Sequence, residues 1–409
     1  MSKAQRHLVL IASFLALVFD GVELGLMPVA SLSVSKSLLG ADFTNTLGGD
    51  WFARFTAALM LGAAVGGVAL GGLGDRIGRT RAMGICILFY SVFAMLGAYA
   101  RSQEQMLVLR FLVGLGVGGL WPNGIALVAE CWPGASRPLV SGVMMAGLNV
   151  GILLLSQLAR LWPITPDSWQ WIFHFAGAPA LLGIFVLTML PESPKWLATR
   201  NTTARPSAPL RELFQPQLIR FTITGIALST IPMVGAWSAS KWMIPWADKV
   251  AAGIDAGYKA ATQGWWALGA ALGSFAGAQL AAKIGRRRSY LLISIATWAM
   301  TVVMFRWTAP LQPSFHSIVF IQGFVATLFF GWLALYLPEL FPTRVRATGS
   351  GLAYNAGRFA TAGGVLLVGV LFTALGGDYP RVGTICASIY ALGIVAIWWA
   401  PKTQEQLGD

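Results

Sequence analysis

Apolar residues run along this chain in blocks of about 20, separated by short polar breaks. Twelve such blocks fill most of its length: about 8–30, 52–73, 82–100, 105–128, 138–158, 170–190, 217–240, 260–281, 289–308, 315–337, 348–374 and 380–400. A helix of ~20 residues spans the ~30 Å hydrocarbon core of a bilayer, so each block is long enough to cross it. Strands of a membrane barrel need only ~10 alternating residues, and the block lengths exclude that architecture. The pattern predicts an all-α membrane protein of twelve transmembrane helices.

Composition agrees, with 56% hydrophobic and 11% charged residues against the ~25% charged usual in soluble domains. A net charge of +13 would suit nucleic acid, but the placement of the cations argues for topology instead. With the N-terminus inside, about 18 of the 29 Lys and Arg residues fall on one side, among them Lys3, Arg6, Arg76, Arg79, Arg81 and Arg137. The positive-inside rule then makes both termini cytoplasmic. No nucleic-acid partner is expected. Cys86, Cys131 and Cys386 lie in or beside spans without metal-ligand or disulfide spacing, and neither a phosphate loop nor a nucleophile with a base is visible. The expectation is therefore no metal, no cofactor and no enzyme.

The two halves of the chain repeat. Gly71-Gly-Leu-Gly-Asp75-Arg76-Ile-Gly78-Arg79-Thr-Arg81 is answered, 207 residues on, by Ala278-Gln-Leu-Ala-Ala-Lys283-Ile-Gly285-Arg286-Arg287-Arg288. Glu130, Arg137 and Gly142 are answered, 209 residues on, by Glu339, Arg346 and Gly351. Six helices have been duplicated almost without insertion. The reading is two pseudo-symmetric six-helix bundles, residues 1–190 and 217–409, joined by a polar, proline-punctuated cytoplasmic linker at 191–216, with a substrate site at the midplane between them.

Charged residues inside the blocks carry the chemistry. Asp20 and Glu23 share one face of the first helix. Each costs ~2.5 to 3.5 kcal/mol to insert, which calls for a paired cation or a wet cavity. Arg110, in the fourth block, lies at a depth matching that of Glu23; the pair is tolerable and becomes a switch when the carboxylate takes a proton. It could equally be a permanent salt bridge, and Asp20 could carry protons or touch substrate. Arg358 sits at the midplane of the eleventh block, and its counterpart by the repeat is Asn149. A midplane guanidinium with no acid in its own half is best satisfied by a carboxylate ligand, held bidentately; the other reading pairs it with Asp20 across the bundle interface. Trp121, Asn123, Gln157, Gln263, Gln322, Tyr354 and Asn355 add amide and aromatic surface to the expected substrate site.

The Gly71–Arg81 stretch resembles the loop signature of the major facilitator superfamily, and Arg110-Phe-Leu-Val-Gly114-Leu-Gly116-Val-Gly118 resembles its fourth-helix signature. Pro191-Glu-Ser-Pro-Lys-Trp196 is similar to the end-of-sixth-helix signature of its sugar-porter and organic-ion branches. Asp20-Gly-Val-Glu23 with Pro28 looks most like the aromatic-acid:proton symporters, the organic ion transporters and the synaptic-vesicle transporter-like proteins. The resemblance implies the major facilitator fold and a gate latch at Asp75, Arg76 and Arg79, with Glu130, Arg137, Glu339, Arg344 and Arg346 as charge-relay partners. In proton-coupled relatives the motif arginine faces a first-helix acid, and Glu23 matches that acid. Ala282 departs from the pattern where the first half has Asp75.

The expected function is secondary active transport in a plasma membrane, that of a bacterial inner membrane, by a monomer. It is proton symport of a small organic anion: a monocarboxylate, aromatic acid or sugar acid. A neutral sugar or polyol porter, a metabolite or drug exporter, and a non-transporting membrane binding protein are the alternatives.

Overall fold

The computed structural model describes residues 1–132, 137–199, 210–342 and 345–401. Among these residues it contains twelve helices long and apolar enough to cross a membrane. They are α1 (Lys3–Leu39), α2 (Asn45–Ile77), α3 (Arg79–Leu96), α4 (Gln103–Cys131), α5 (Arg137–Leu161), α6 (in two pieces, Gln170–Ala176 and Ala180–Met189), α7 (Ile219–Ser238, continued as Met243–Val250), α8 (Tyr258–Ile284), α9 (Arg286–Arg306), α10 (Phe315–Glu339), α11 (Arg346–Ala374) and α12 (Tyr379–Ala396).

Local chemistry sets the ends and breaks. Ser2 and Gln5 form a reciprocal capping box at the start of α1, satisfying two of the donors a helix start leaves open. The break in α6 falls at Gly177-Ala-Pro179, where the proline cannot donate to the preceding turn. Gly78 and Gly285, 207 residues apart, stand at positive φ between α2 and α3 and between α8 and α9, so the duplicated turn keeps the residue that adopts this conformation without strain.

Within each half the closest helix pairs are equivalent, α2 with α4 and α8 with α10. A Cβ on Gly66 would lie 2.0 Å from the Leu115 carbonyl oxygen, and one on Gly273 would lie 2.1 Å from that of Phe324. Small residues let backbones touch where lipid provides no hydrophobic drive for association. The halves meet along α5 against α8 and α2 against α11. Twelve crossings among the described residues put the start of α1 and the end of α12 on one face, here termed the termini face. At the opposite, far face the Trp242 ring of α7 lies 5.4 Å from Phe52 of α2 and 5.0 Å from Phe372 of α11. Tyr379 of α12 completes the plug, 4.6 Å from Phe372.

The seventh span differs from the block at 217–240. It runs on through a 3₁₀ turn, Ser240–Trp242, to Val250, which takes Lys241, Asp248 and Lys249 into the membrane segment. Asp20 and Glu23 are thus not the only acids within spans. Asp248 is carried there by an ion pair with Lys259 of α8 (3.0 Å), whose ammonium also donates to Ser33 of α1. Of the residues between the halves, 191–199 and 210–216 are described, including a short helix Pro194–Thr199; 200–209 lie outside the described residues.

Candidate functional site

Between the halves lies a cavity with a water-accessible volume of about 90 Å³, room for several waters or a small ring. Its walls are mostly apolar and aromatic, and its few polar groups come from both halves: Asp20 on α1, Asn149 on α5, Lys241 on α7, Thr327 on α10, and Tyr354 and Arg358 on α11. Sparse, convergent polar groups in an apolar cleft are what a small-molecule site requires. Trp121 of α4 and Tyr354 of α11 stack across the halves, centroids 4.9 Å apart and planes 6° from parallel. Their places along α4 and α11 put this stack on the termini side of the cavity, opposite the aromatic plug.

Arg358 donates to the backbone carbonyl of Ala63 on α2 at 3.1 Å and, more weakly, to that of Gly118 on α4 at 3.5 Å. Its guanidinium lies 5.2 Å from the Tyr354 ring centroid. Asp20 is buried, with Oδ1 lacking a hydrogen-bond partner. Asp20 and Arg358 line the same cavity, but among the described residues they form no ion pair. Both keep unspent capacity for a ligand or a proton. Asn149, the repeat partner of Arg358, spans the halves to Ser274 of α8 at 2.9 Å.

Behind Asp20 on α1, Glu23 meets Arg110 of α4 at 3.4 Å, with both side chains wholly buried. The contact is a single long bond. Glu23 Oε1 and the Nε and Nη2 of Arg110 have no partner, nor does the nearby Tyr90 hydroxyl, and the guanidinium lies 5.3 Å from the Phe173 ring of α6. A desolvated pair with so many donors and acceptors unmet is held at a cost, so a proton on the carboxylate removes less than it would from a fully bonded pair.

Four of the nine substrate-site residues expected from sequence line the cavity: Arg358, Asn149, Trp121 and Tyr354. The other five do not. Gln322 is consumed inside its own half, donating to Ser240 at 2.6 Å and Thr301 at 3.1 Å while accepting from Trp266 at 2.8 Å. Asn123 ties α4 to α2 through the Leu70 carbonyl, and Asn355 bonds the Gly351 carbonyl one turn back. Gln263 reaches Ser156 at the α5–α8 contact, and Gln157 is exposed. Lys241 is absent from the site expected from sequence, because the apolar block ends at 240. Its one sequence signal is that the apolar run resumes at once, Trp242-Met-Ile-Pro-Trp246, leaving the lysine inside a longer segment.

A family model for the Major Facilitator Superfamily matches residues 9–265, more than half of the chain. The chain belongs to the major facilitator superfamily. A second model, Sugar (and other) transporter, matches residues 247–406. The chain is 33% identical, over 87% of its length and 83% of the relative's, to a probable 4-methylmuconolactone transporter of Cupriavidus pinatubonensis. It is 30% identical to the cis,cis-muconate transport protein of Acinetobacter baylyi, over 95% and 94% of the two chains. It is 26% identical to a gallate transporter of Pseudomonas putida, over 96% and 92%. Its fold matches a D-xylose-proton symporter with a TM-score of 0.74 at 16% identity, over 97% and 98% of the two chains. It likewise matches the human organic anion transporter MFSD10, with a TM-score of 0.70 at 16% identity, over 97% and 100%. The protein is an integral membrane transporter.

On its termini face this major facilitator carries the two duplicated charge clusters. In the first half Arg79 reaches Asp75 at 2.6 Å and Glu130 at 3.5 Å. The Pro191–Trp196 stretch locks onto the same place: Ser193 Oγ donates to Glu130, Glu192 accepts from the Thr80 amide, and the Trp196 indole donates to the Asp75 carbonyl. Arg76 is exposed and, among the described residues, joins no ion pair. In the second half Glu339 pairs with Arg286, and Arg346, grouped with Glu339 and Arg344 in the expected relay, caps the Phe341 carbonyl. The reason is the packing of α10 beside the start of α9, which brings Arg286 to Glu339. The side chain of Arg137 and the whole of Arg344 lie outside the described residues.

Proposed function

We propose that this transporter carries small planar organic acids, aromatic acids or their ring-opened products, by proton symport through alternating access. The observation that supports this most is the Arg358 guanidinium in an aromatic-walled cavity between the halves, with no acid paired to it among the described residues. A carboxylate there gains charge-assisted bonds that water-filled surroundings would weaken. The names of the relatives, transporters of muconate, methylmuconolactone and gallate, point to the same substrate class. A neutral sugar would leave the guanidinium uncompensated.

In this reading Glu23 carries the proton and Arg110 takes its charge when the proton leaves, with Asp20 tuning the exchange from the cavity side. Protonation frees α1 from α4, substrate binds on Arg358 and Asn149, and the two halves rock about the α5–α8 and α2–α11 contacts. The Asp75–Arg79–Glu130 cluster latches the termini face, which is cytoplasmic, in the plasma membrane of a bacterium. The residues between 191 and 216 serve as the linker between bundles, and the protein acts as a monomer.

Reconstitution tests this directly. Proteoliposomes with an acid exterior should accumulate an aromatic or muconate-type acid above its equilibrium level and lose it when a protonophore is added. Uptake of sugars in preference to acids would replace the reading with a neutral porter.

A further inference from the structure

Lys241 is 2% exposed, lines the central cavity, and has no hydrogen-bond partner for its ammonium. Its Nζ lies 3.4 Å from the centroid of the Trp266 ring, a contact that steadies a desolvated cation without occupying its N–H donors. Among the described residues no carboxylate lies within ion-pair distance of it. An ammonium placed this deep with its donors unspent is expensive. What it lacks is an anionic acceptor delivered by the cavity.

We propose that Lys241 is a second carboxylate-binding residue of the transport site, so that the cavity is built for an acid with two carboxylates, one on Arg358 and one on Lys241. This rests on the organic-acid reading above and goes beyond it in naming the dicarboxylate and the residue that selects it. Arg358 stands near the middle of α11 and Lys241 toward the far end of α7, both on the second half's wall of the cavity. Their backbones differ in depth by on the order of 15 Å at 1.5 Å of helix rise per residue. Two long side chains reaching into the cavity close that gap to the length of a short, rigid diacid, with Trp266 at its Lys241 end, the Trp121–Tyr354 stack at its Arg358 end and Trp237 between.

Charge counting supports the same occupant. With the proton on Glu23, as in the loading step above, the buried site holds three cations, Lys241, Arg358 and Arg110, and one ionised acid, Asp20. The other ionisable groups near Asp20 are Cys86 and Tyr90 on α3 and Tyr354 on α11. A dianion that enters in that state leaves the site neutral. A monoanion leaves it with one positive charge.

The test uses a matched pair of probes on the full-length protein: cis,cis-muconate, and sorbate, which keeps the six-carbon diene but replaces one carboxylate with a methyl group. The parent should bind muconate at least tenfold more tightly than sorbate, equivalent to about 1.4 kcal/mol. Lys241→Met should abolish that preference by weakening muconate, with sorbate moving less than twofold, and Lys241→Arg should restore it. If Lys241→Met does not fold, Lys241→Gln, read with Lys241→Arg, makes the same comparison. An unchanged muconate preference in the folded Met or Gln variant would overturn the proposal, as would equal losses for both probes. Tight sorbate binding without a muconate preference in the parent would defeat the diacid site while leaving the organic-acid reading intact. Failure of the parent to bind any organic acid would defeat both.

Discussion

Arg286 donates Nε and Nη2 to the two oxygens of Glu339, at 2.8 and 2.7 Å. At the duplicated place in the first half, Arg79 divides itself between Asp75 and Glu130. The difference comes from one residue. Ala282 stands where the repeat of Asp75 would be, so Arg286 has a single acid to serve and pairs with it as a fork, the geometry guanidinium favours.

A shared arginine is the easier of the two to release, which favours the first-half cluster as the moving latch of the proposed mechanism. Asp75→Asn should lower transport at least tenfold while the folded protein still binds substrate. Glu339→Gln should instead destabilise the fold, seen as a lower melting temperature, because it leaves a half-buried arginine without its acid. Normal cycling in Asp75→Asn would remove the latch from the mechanism.

The helix that carries Asp20 is seated on α5 by bare backbone. A Cβ on Gly151 would lie 1.7 Å from the Val18 carbonyl oxygen, and one on Gly21 would lie 1.8 Å from that of Leu148. Neither neighbour can turn aside, so Gly151→Val should cost about 1–3 kcal/mol or more and sharply reduce the yield of folded protein. Gly72→Ala is the control, since nothing lies within 4 Å of its would-be Cβ; it should leave thermal stability unchanged or slightly raised. A wild-type melt for Gly151→Val would show that α1 and α5 are free to separate.

Arg358→Lys keeps the charge but loses the fork. Affinity for an aromatic or muconate-type acid should fall about tenfold or more, roughly 1.4 kcal/mol, measured by equilibrium binding. Because Arg358 also bonds the Ala63 and Gly118 carbonyls of the other half, Arg358→Ala should in addition loosen the α2–α11 contact and lower the melting temperature. Undiminished acid binding by Arg358→Ala would place the carboxylate elsewhere.

Length and period are the features of this molecule that its sequence makes legible. Twelve apolar blocks become twelve spans, and the repeat reappears as matched backbone contacts, because both arise from the bilayer and from duplication rather than from any one side chain. Glu23 and Arg110 are pairable from sequence because an isolated charge at their depth is too costly to leave alone. Amides are different. Asn123 and Gln322 look the same in sequence whether they face a ligand or a neighbouring helix, and here neighbouring carbonyls take the Asn123 amide NH2 while hydroxyls and an indole take both ends of Gln322. Spacing along the chain groups Glu339 with Arg346 and does not tell which helix start packs beside α10, so the Glu339–Arg286 pair is not legible in it. Lys241 is hidden by the same limit, since a lysine at the end of an apolar block and a lysine inside a longer kinked span differ only in the residues C-terminal to them.

In the proposed mechanism protons ride on α1. Glu23→Gln holds that position in its neutral form, so it should retain exchange of labelled for unlabelled substrate, in which no net proton moves, and lose accumulation against a gradient. Asp20→Asn should give a weaker form of the same loss if it only tunes Glu23. The most direct measurement is pH-gradient-driven accumulation of an organic acid in proteoliposomes by the Glu23→Gln, Asp20→Asn double variant. No accumulation above the equilibrium level is expected, with exchange preserved; uphill accumulation by that variant would show that α1 does not carry the proton.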